Sequence, residues 1–450
     1  MPVTSHLPAT TALAALDAMR AGALTSRQLV QACLDQIDRS EPQVGAWTFL
    51  DPVLALQQAD ACDAATRAGT ARGRLHGVPV AVKDNIDTAD MPTACGTPLY
   101  SGRRPTSDAA VVQRLRAEGA VILGKTVTTE LAYFSPGKTR NPHNPAHTPG
   151  GSSSGSAAAV ASFMAPLALG TQTNGSVIRP AAFCGVIGFK PSFGLIPRTG
   201  VLLTSSSLDQ VGVFGRTLDD VALLAACLAG PEPADSATAG APLSPSWPAA
   251  WTAARPPRIG RLVSALETEA DPAFLQQLDA LAAALRHLGV RCPVIDLGAT
   301  VAEANRHQRT IMAVEMAGNL AGLYDPHAAL MSAPLRALIE EGRAVDSADY
   351  LSSLQAAQWT GQELDALFGG CDVVMLPSAP GAAPQGLGST GSPMFCSLAS
   401  MLGLPALSLP LFTDPTGLPL GVQLLARRGQ DALLLQAAQW LMANVLPLET

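Results

Sequence analysis

Amphipathic helical stretches alternate along this chain with short, wholly apolar segments, and that alternation leaves few architectures open. Thr25 to Arg39 reads as a helix: Thr25 and Gln28 form a capping-box pair, and Leu29, Val30, Cys33, Leu34 and Ile37 share one face. Gly77-Val-Pro-Val-Ala-Val-Lys83 reads as a strand, with Pro79 marking a sheet edge or a strand start. A helix is expected from Ser107 to Glu118, ended by Gly119 at a C′ position, with Ala120 to Leu123 following as a buried strand. The unit recurs as Asp279 to His287, Gly289, and Val290 to Ile295, and Asp372 to Leu376 is one more apolar strand. The pattern predicts an α/β layered fold with a mixed sheet.

Composition narrows the function classes. Of 450 residues, 48% are hydrophobic and 14% charged, which excludes a disordered chain and supplies a large core. A formal net charge of −7 offers no basic excess to meet phosphates, so nucleic acid is not an expected direct partner. The eight cysteines are widely spaced without a CxxC pair and read as buried thiols of a reducing compartment. The amino-terminal MPVTSHLPATTALAAL has no cationic leader. Ala157 to Leu169, the most apolar stretch, is too short and too broken for a membrane span and is expected to be a buried helix. These features predict a cytoplasmic protein. Residues 230–257, rich in Pro, Ala and Ser, form the one convincing loop or linker.

Several familiar motifs fail on context. Gly119-Ala-Val-Ile-Leu-Gly124-Lys125-Thr126 fits the phosphate-loop pattern, but its interior is a buried strand rather than a loop. Ser135-Pro-Gly-Lys138 fits SxxK, yet Pro-Gly prevents the helical turn that would bring Lys beside Ser. Gly151-Ser-Ser153-Ser-Gly155 fits the nucleophile elbow, but loop precedes it where a strand is needed. A Ser153 hydrolase with His287, His307 or His327 as base stays open as an alternative. His143 and His147 have zinc-like spacing without supporting ligands and read as structural, and no metal site is expected.

The stretch from Thr148 to Gly188 holds a glycine–serine loop leading into a small-residue helix. A second small-residue loop, Thr173-Asn-Gly-Ser176, follows, with Arg179 and Pro180 just beyond. Consecutive amides in such a loop are open to a developing negative charge, as in an oxyanion hole. The bland alternative is a pair of ordinary Gly/Ser turns around a packed helix. Lys83, ending the apolar strand, is the third element. Desolvation at a strand end lowers an amine's pKa toward the range of a working base.

GGSSSGSAAAVA followed by GTQTNGSVIRPAAFCG resembles the signature region of the amidase signature family, and GVPVAVKDNID resembles that family's lysine strand. The similarity continues through GFKPSFGLIPRTGV, SSSLDQVGVFGRT, LASMLGLPALSLPLF and GLPLGVQLLARRG, covering most of the chain. The resemblance implies a three-layer α/β/α fold forming a single domain over 1–450. Its catalytic core would span about 60–225, with 258–450 completing the same sheet beyond the 230–257 loop. It implies Ser176 as nucleophile, Ser152 as the bridging serine behind a cis Gly151–Ser152 bond, and Lys83 as base. The backbone amides of Thr173, Asn174, Gly175 and Ser176 would form the oxyanion hole, with Ser153 and Arg179 near substrate. It implies a small amide as substrate and no metal or organic cofactor; a homodimer is compatible with it. Other members suggest two alternatives: the glutaminase subunit of a tRNA-dependent amidotransferase, or a hydrolase of biuret-type urea derivatives.

The chain departs from the family where many relatives carry Asp-x-Gly-Gly-Ser, having Gln172-Thr-Asn-Gly-Ser176 instead. It also places Arg179 three residues after the nucleophile, with Ile178 at the commoner arginine position. That arrangement resembles members acting on small amides that bear a carboxylate. A guanidinium there is expected either to grip the carboxylate or to brace the loop.

Overall fold

The structure is a computed structural model describing residues 9–242, 247 and 256–445, with the side chains of 362–367 left aside. The first eight residues of the stretch read for a leader, and 243–246 and 248–255 of the Pro/Ala-rich stretch, lie outside the described residues.

Eleven strands form one mixed sheet: β1 (Trp47–Leu50), β2 (Pro79–Lys83), β3 (Val121–Thr126), β4 (Leu167–Gln172), β5 (Ile187–Lys190), β6 (Gln210–Gly215), β7 (Ile259–Val263), β8 (Val294–Asp296), β9 (Val373–Pro377), β10 (Ala406–Thr413) and β11 (Pro419–Leu425). Their spatial order is β1-β3-β2-β4-β6-β5-β10-β11-β9-β7-β8. Alternate residues of one strand enter different apolar clusters: Val80 and Val82 of β2 join one, Ala81 another. Likewise Val373 and Met375 of β9 pack away from Val374 and Leu376. Both faces are therefore covered, which explains why these strands read as unbroken apolar runs rather than alternating ones.

The helix Ser26–Val44 has the expected capping box, Gln28 N–H to Thr25 Oγ1 at 3.1 Å and Thr25 N–H to Gln28 Oε1 at 2.9 Å. Of the two readings of Pro79 the strand start holds: it opens β2, which is interior, between β3 and β4. Other readings need correction. The run from Ala157 to Leu169 is not one helix. The helix Ser154–Ala161 stops partway along it, and Leu167 already belongs to β4, because Pro166 cannot continue a helical ladder. The second helix–strand unit has a longer helix, Pro272–His287, and a shorter, later strand, β8, at the sheet edge with Val294 exposed. Among the described residues, no helix is long and apolar enough to cross a membrane.

The rejected motifs are structural. Lys125 is buried in β3, donating to Thr93 Oγ1 at 2.5 Å and to Ile86 O at 2.8 Å, and pairing with Asp84 at 3.3 Å. Ser135 bonds Ser332, while the exposed Lys138 pairs with Glu41. His143 and His147 bond the carbonyls of Cys184 and Ala383.

Candidate active site

β2 and β4 run parallel as neighbours, Val82 opposite Leu169, so both leave the sheet at the same end. Binding sites of open α/β sheets form at the carboxyl ends of strands, and here Lys83 and the Thr173–Ser176 loop meet there. Lys83 is fully buried. Its Nζ donates to Thr171 Oγ1 at 2.7 Å and lies 2.8 Å from Ser152 Oγ. Asn85 Nδ2 also donates to Thr171 Oγ1, at 2.9 Å. No carboxylate forms an ion pair with Lys83 among the described residues, in contrast to Lys125. Burial accordingly lowers the Lys83 pKa from 10.5 to about 7, only partly opposed by Asp209 and Cys95. Near neutrality a large share of this amine is uncharged.

Ser152 follows a cis peptide bond from Gly151. Gly150 has φ +81°, and a Cβ on Gly151 would lie 2.7 Å from Thr390 Cγ2, so neither position has room for an ordinary residue. Arg179 Nη2 donates to Gly151 O at 2.8 Å and to Thr390 Oγ1 at 3.1 Å. Ser152 and Ser176 line one pocket, and Ser153 N–H reaches Ser176 O at 3.4 Å. The Ser176 hydroxyl has no hydrogen-bond partner among the described residues, Ser152 included, and is left facing the pocket.

The Thr173–Ser176 loop is held from behind. Thr173 Oγ1 donates to the buried Asp209 at 2.6 Å, and Gln172 Oε1 accepts from the N–H groups of Val177 and Ile178. Asn174 Nδ2 donates to Gln308 Oε1 at 3.0 Å, and its Oδ1 accepts from Ser397 at 2.8 Å. The N–H groups of residues 173–176 have no acceptor among the described residues.

Arg179 is buried on the pocket wall and faces the Phe134 ring at 5.4 Å. Its Nε and Nη1 have no hydrogen-bond partner among the described residues, and burial lowers its pKa to about 10. Tyr133, Phe134, Met312 and Met316 complete an apolar enclosure. The cavity leaves about 20 Å³ in which the centre of a water molecule could move. No group of three or more His, Cys, Asp or Glu side chains suited to a metal occurs among the described residues.

Ser153 needs correction. Its hydroxyl is fully buried and closed onto the Thr171 backbone, accepting from N–H and donating to O at 3.2 Å each, and it does not line the pocket. Among the described residues it has no hydrogen bond to any histidine; His307 instead contacts Ser353. Thr171, Asn85, Asp209 and Gln308 were missed by sequence reasoning. Thr171, Asn85 and Asp209 lie inside the stretches that carry the family resemblance, but nothing local marks their hydrogen-bond partners, and Gln308 lies more than a hundred residues from the loop it touches.

The profile of the Amidase family matches residues 28–435. The chain belongs to this family. It is an amide-hydrolysing enzyme, a hydrolase of the amidase signature type, with the α/β fold of its structural neighbours. A glutamyl-tRNA(Gln) amidotransferase subunit from a Picosynechococcus species is 34% identical over 445 residues, covering 89% of this amidase and 91% of the relative. The native peptide amidase of Stenotrophomonas maltophilia superimposes with a TM-score of 0.83 at 31% identity, covering 96% of each chain. A protein of a vestigial complex linked to the origins of an s-triazine catabolic enzyme gives 0.90 at 27% identity, covering 97% of this chain and 99% of its own.

Proposed function

We propose that this amidase hydrolyses a small amide bearing a carboxylate, through an acyl-enzyme on Ser176. Neutral Lys83 takes the proton of Ser152, which takes that of Ser176, whose Oγ attacks the amide carbon. The open amides of residues 173–176 receive the oxyanion. Collapse breaks the C–N bond, and the relay returns its proton to the departing amine. Water then adds to the ester carbonyl and the acid is released. The Ser152–Ser176 link is open in the free enzyme; such bonds commonly tighten once substrate is bound.

The observation carrying the substrate class is the pair of unpartnered, buried Arg179 donors, Nε and Nη1, on the wall beside Ser176. Buried donors left unsatisfied are costly, and a substrate carboxylate would accept a charge-assisted hydrogen bond from one of them, since Nε–H and Nη1–H diverge on either side of Cδ. The narrow cavity favours a short acyl group. Urea-type amides carrying a carboxylate share this chemistry.

Glutamine hydrolysis for a partner is a second reading, favoured by the amidotransferase relatives. Against it, the described residues lining the pocket include no carboxylate to hold an α-ammonium group.

Arg179→Ala is expected to raise KM for malonamate about tenfold to a hundredfold, the worth of a lost hydrogen bond between charged groups, while leaving propionamide nearly unaffected. Equal losses on both would reduce Arg179 to a brace for Gly151 O. Ser176→Ala should abolish turnover in a folded protein, and wild-type turnover would eliminate the mechanism. Rapid ammonia release from glutamine alone would favour the second reading.

A further inference from the structure

The carbonyls of Thr173, Asn174 and Gly175 in the 173–176 loop are each tied down. Thr173 O accepts from Gln308 Nε2 at 3.2 Å, Asn174 O from Ser400 Oγ at 2.5 Å, and Gly175 O from Arg179 N–H at 2.9 Å. These peptide bonds are trans, the cis bond of the described chain being Gly151–Ser152. In a trans peptide the carbonyl of one residue and the N–H of the next point in opposite directions within one plane. Fixing three carbonyls therefore aims the N–H groups of Asn174, Gly175 and Ser176 the other way, and those three have no acceptor within the described residues.

Two of the three anchors come from distant parts of the chain. Gln308 belongs to the helix Thr300–Asn319, whose Met312 and Met316 form part of the pocket wall, and Ser400 belongs to the helix Ser397–Met401. Both side chains are fully buried. The Asn174 side chain makes the link two-way: it donates to Gln308 Oε1 while Gln308 Nε2 donates to Thr173 O.

We infer that Gln308 and Ser400 are positioning residues that orient the oxyanion hole by holding the Thr173 and Asn174 carbonyls. They touch no reacting atom; they set where the Asn174 and Gly175 N–H groups point. Pre-aimed donors are what make such a hole effective, since no reorganisation is then needed as charge develops. The inference rests on Ser176 as the nucleophile, but not on the carboxylate preference.

The test compares Gln308→Met, close to glutamine in size but without its amide, and Ser400→Ala, the smallest available change, with wild type. Three quantities are measured: propionamide kinetics, the rate of Ser176 labelling by a fluorophosphonate, and the thermal midpoint. Each variant is expected to lose about tenfold to a hundredfold in kcat, less than outright removal of a donor costs. KM should stay within about twofold, and labelling should slow in parallel. The pH midpoint of labelling, which reports Lys83, should not move. An unchanged kcat, a loss of rate only in proportion to folded protein, an equal rise in KM, or a moved pH midpoint would each overturn the assignment. Labelling of wild type at a residue other than Ser176 is a separate result, which removes the nucleophile assignment itself.

Discussion

Replacing Lys83 by methionine should inactivate the enzyme and yet stabilise it at pH 7. The native pKa of this amine is about 7, against 10.5 when solvated. Between those values the unfolded chain binds a proton that the native state does not, so Lys83 opposes folding there, and its cost falls as pH rises. At about 1.4 kcal/mol per tenfold in proton affinity, the cost is about 4 kcal/mol at pH 7 and less than about 1 kcal/mol at pH 10. Methionine removes that cost but forfeits the contacts to Thr171 Oγ1 and Ser152 Oγ, together worth about 2 kcal/mol. Lys83→Met should therefore be more stable than wild type by about 2 kcal/mol at pH 7 and less stable by about 1 kcal/mol at pH 10. Urea unfolding at the two pH values, followed by fluorescence and extrapolated linearly, measures both differences. The difference between the two pH values is the more telling quantity, because the lost contacts cancel from it. A variant less stable than wild type at pH 7, or a stability difference that does not change between pH 7 and 10, would refute the argument that burial keeps this amine neutral.

Two further outcomes follow from the same geometry. The rate on a neutral amide should rise with pH through about 7 and then level off, because protonated Lys83 cannot accept the Ser152 proton; a rate limb centred below pH 5 would point to a carboxylate base instead. Gly155→Ala should lower the thermal midpoint markedly and slow turnover, since its Cβ would lie 2.3 Å from Ala46 O and 2.4 Å from Val127 N and would push the helix Ser154–Ala161 off β3; an unchanged midpoint would refute it.

Much of the fold and part of the site were legible where the signal is local. The capping box at Thr25, the strand ending in Lys83 and the open loop at Thr173–Ser176 depend on neighbours within a few residues. The interior position of β2 was not legible, because Pro79 behaves the same at the start of an edge strand and at the start of a central one. β8 was misplaced because Val290 to Ile295 reads as a buried strand, whereas the chain uses Val290 and Cys292 in the core before forming a short exposed edge. Ser153 was misassigned because a serine in a glycine-rich loop carries no sign of which way its hydroxyl turns. Gln308 and Ser400 were invisible for a different reason: their contacts span 135 and 226 residues of sequence.

The electrostatics of the site turn on which buried cations have anionic partners. Lys125 and Lys83 both sit at the carboxyl ends of adjacent strands and are both fully buried. Lys125 has Asp84 at 3.3 Å and serves the structure. Lys83 has only hydroxyls and a carbonyl within bonding distance among the described residues, so burial is relieved by shedding the proton, which leaves a base. Arg179 is buried without a carboxylate as well, but guanidinium stays charged at neutral pH even with its pKa lowered to about 10. Its unsatisfied donors are what the proposed carboxylate of the substrate would meet. The same absence of carboxylates thus has opposite consequences at the two positions: at Lys83 it favours the neutral amine that the proposed relay uses, and at Arg179 it leaves a standing positive charge in the pocket wall.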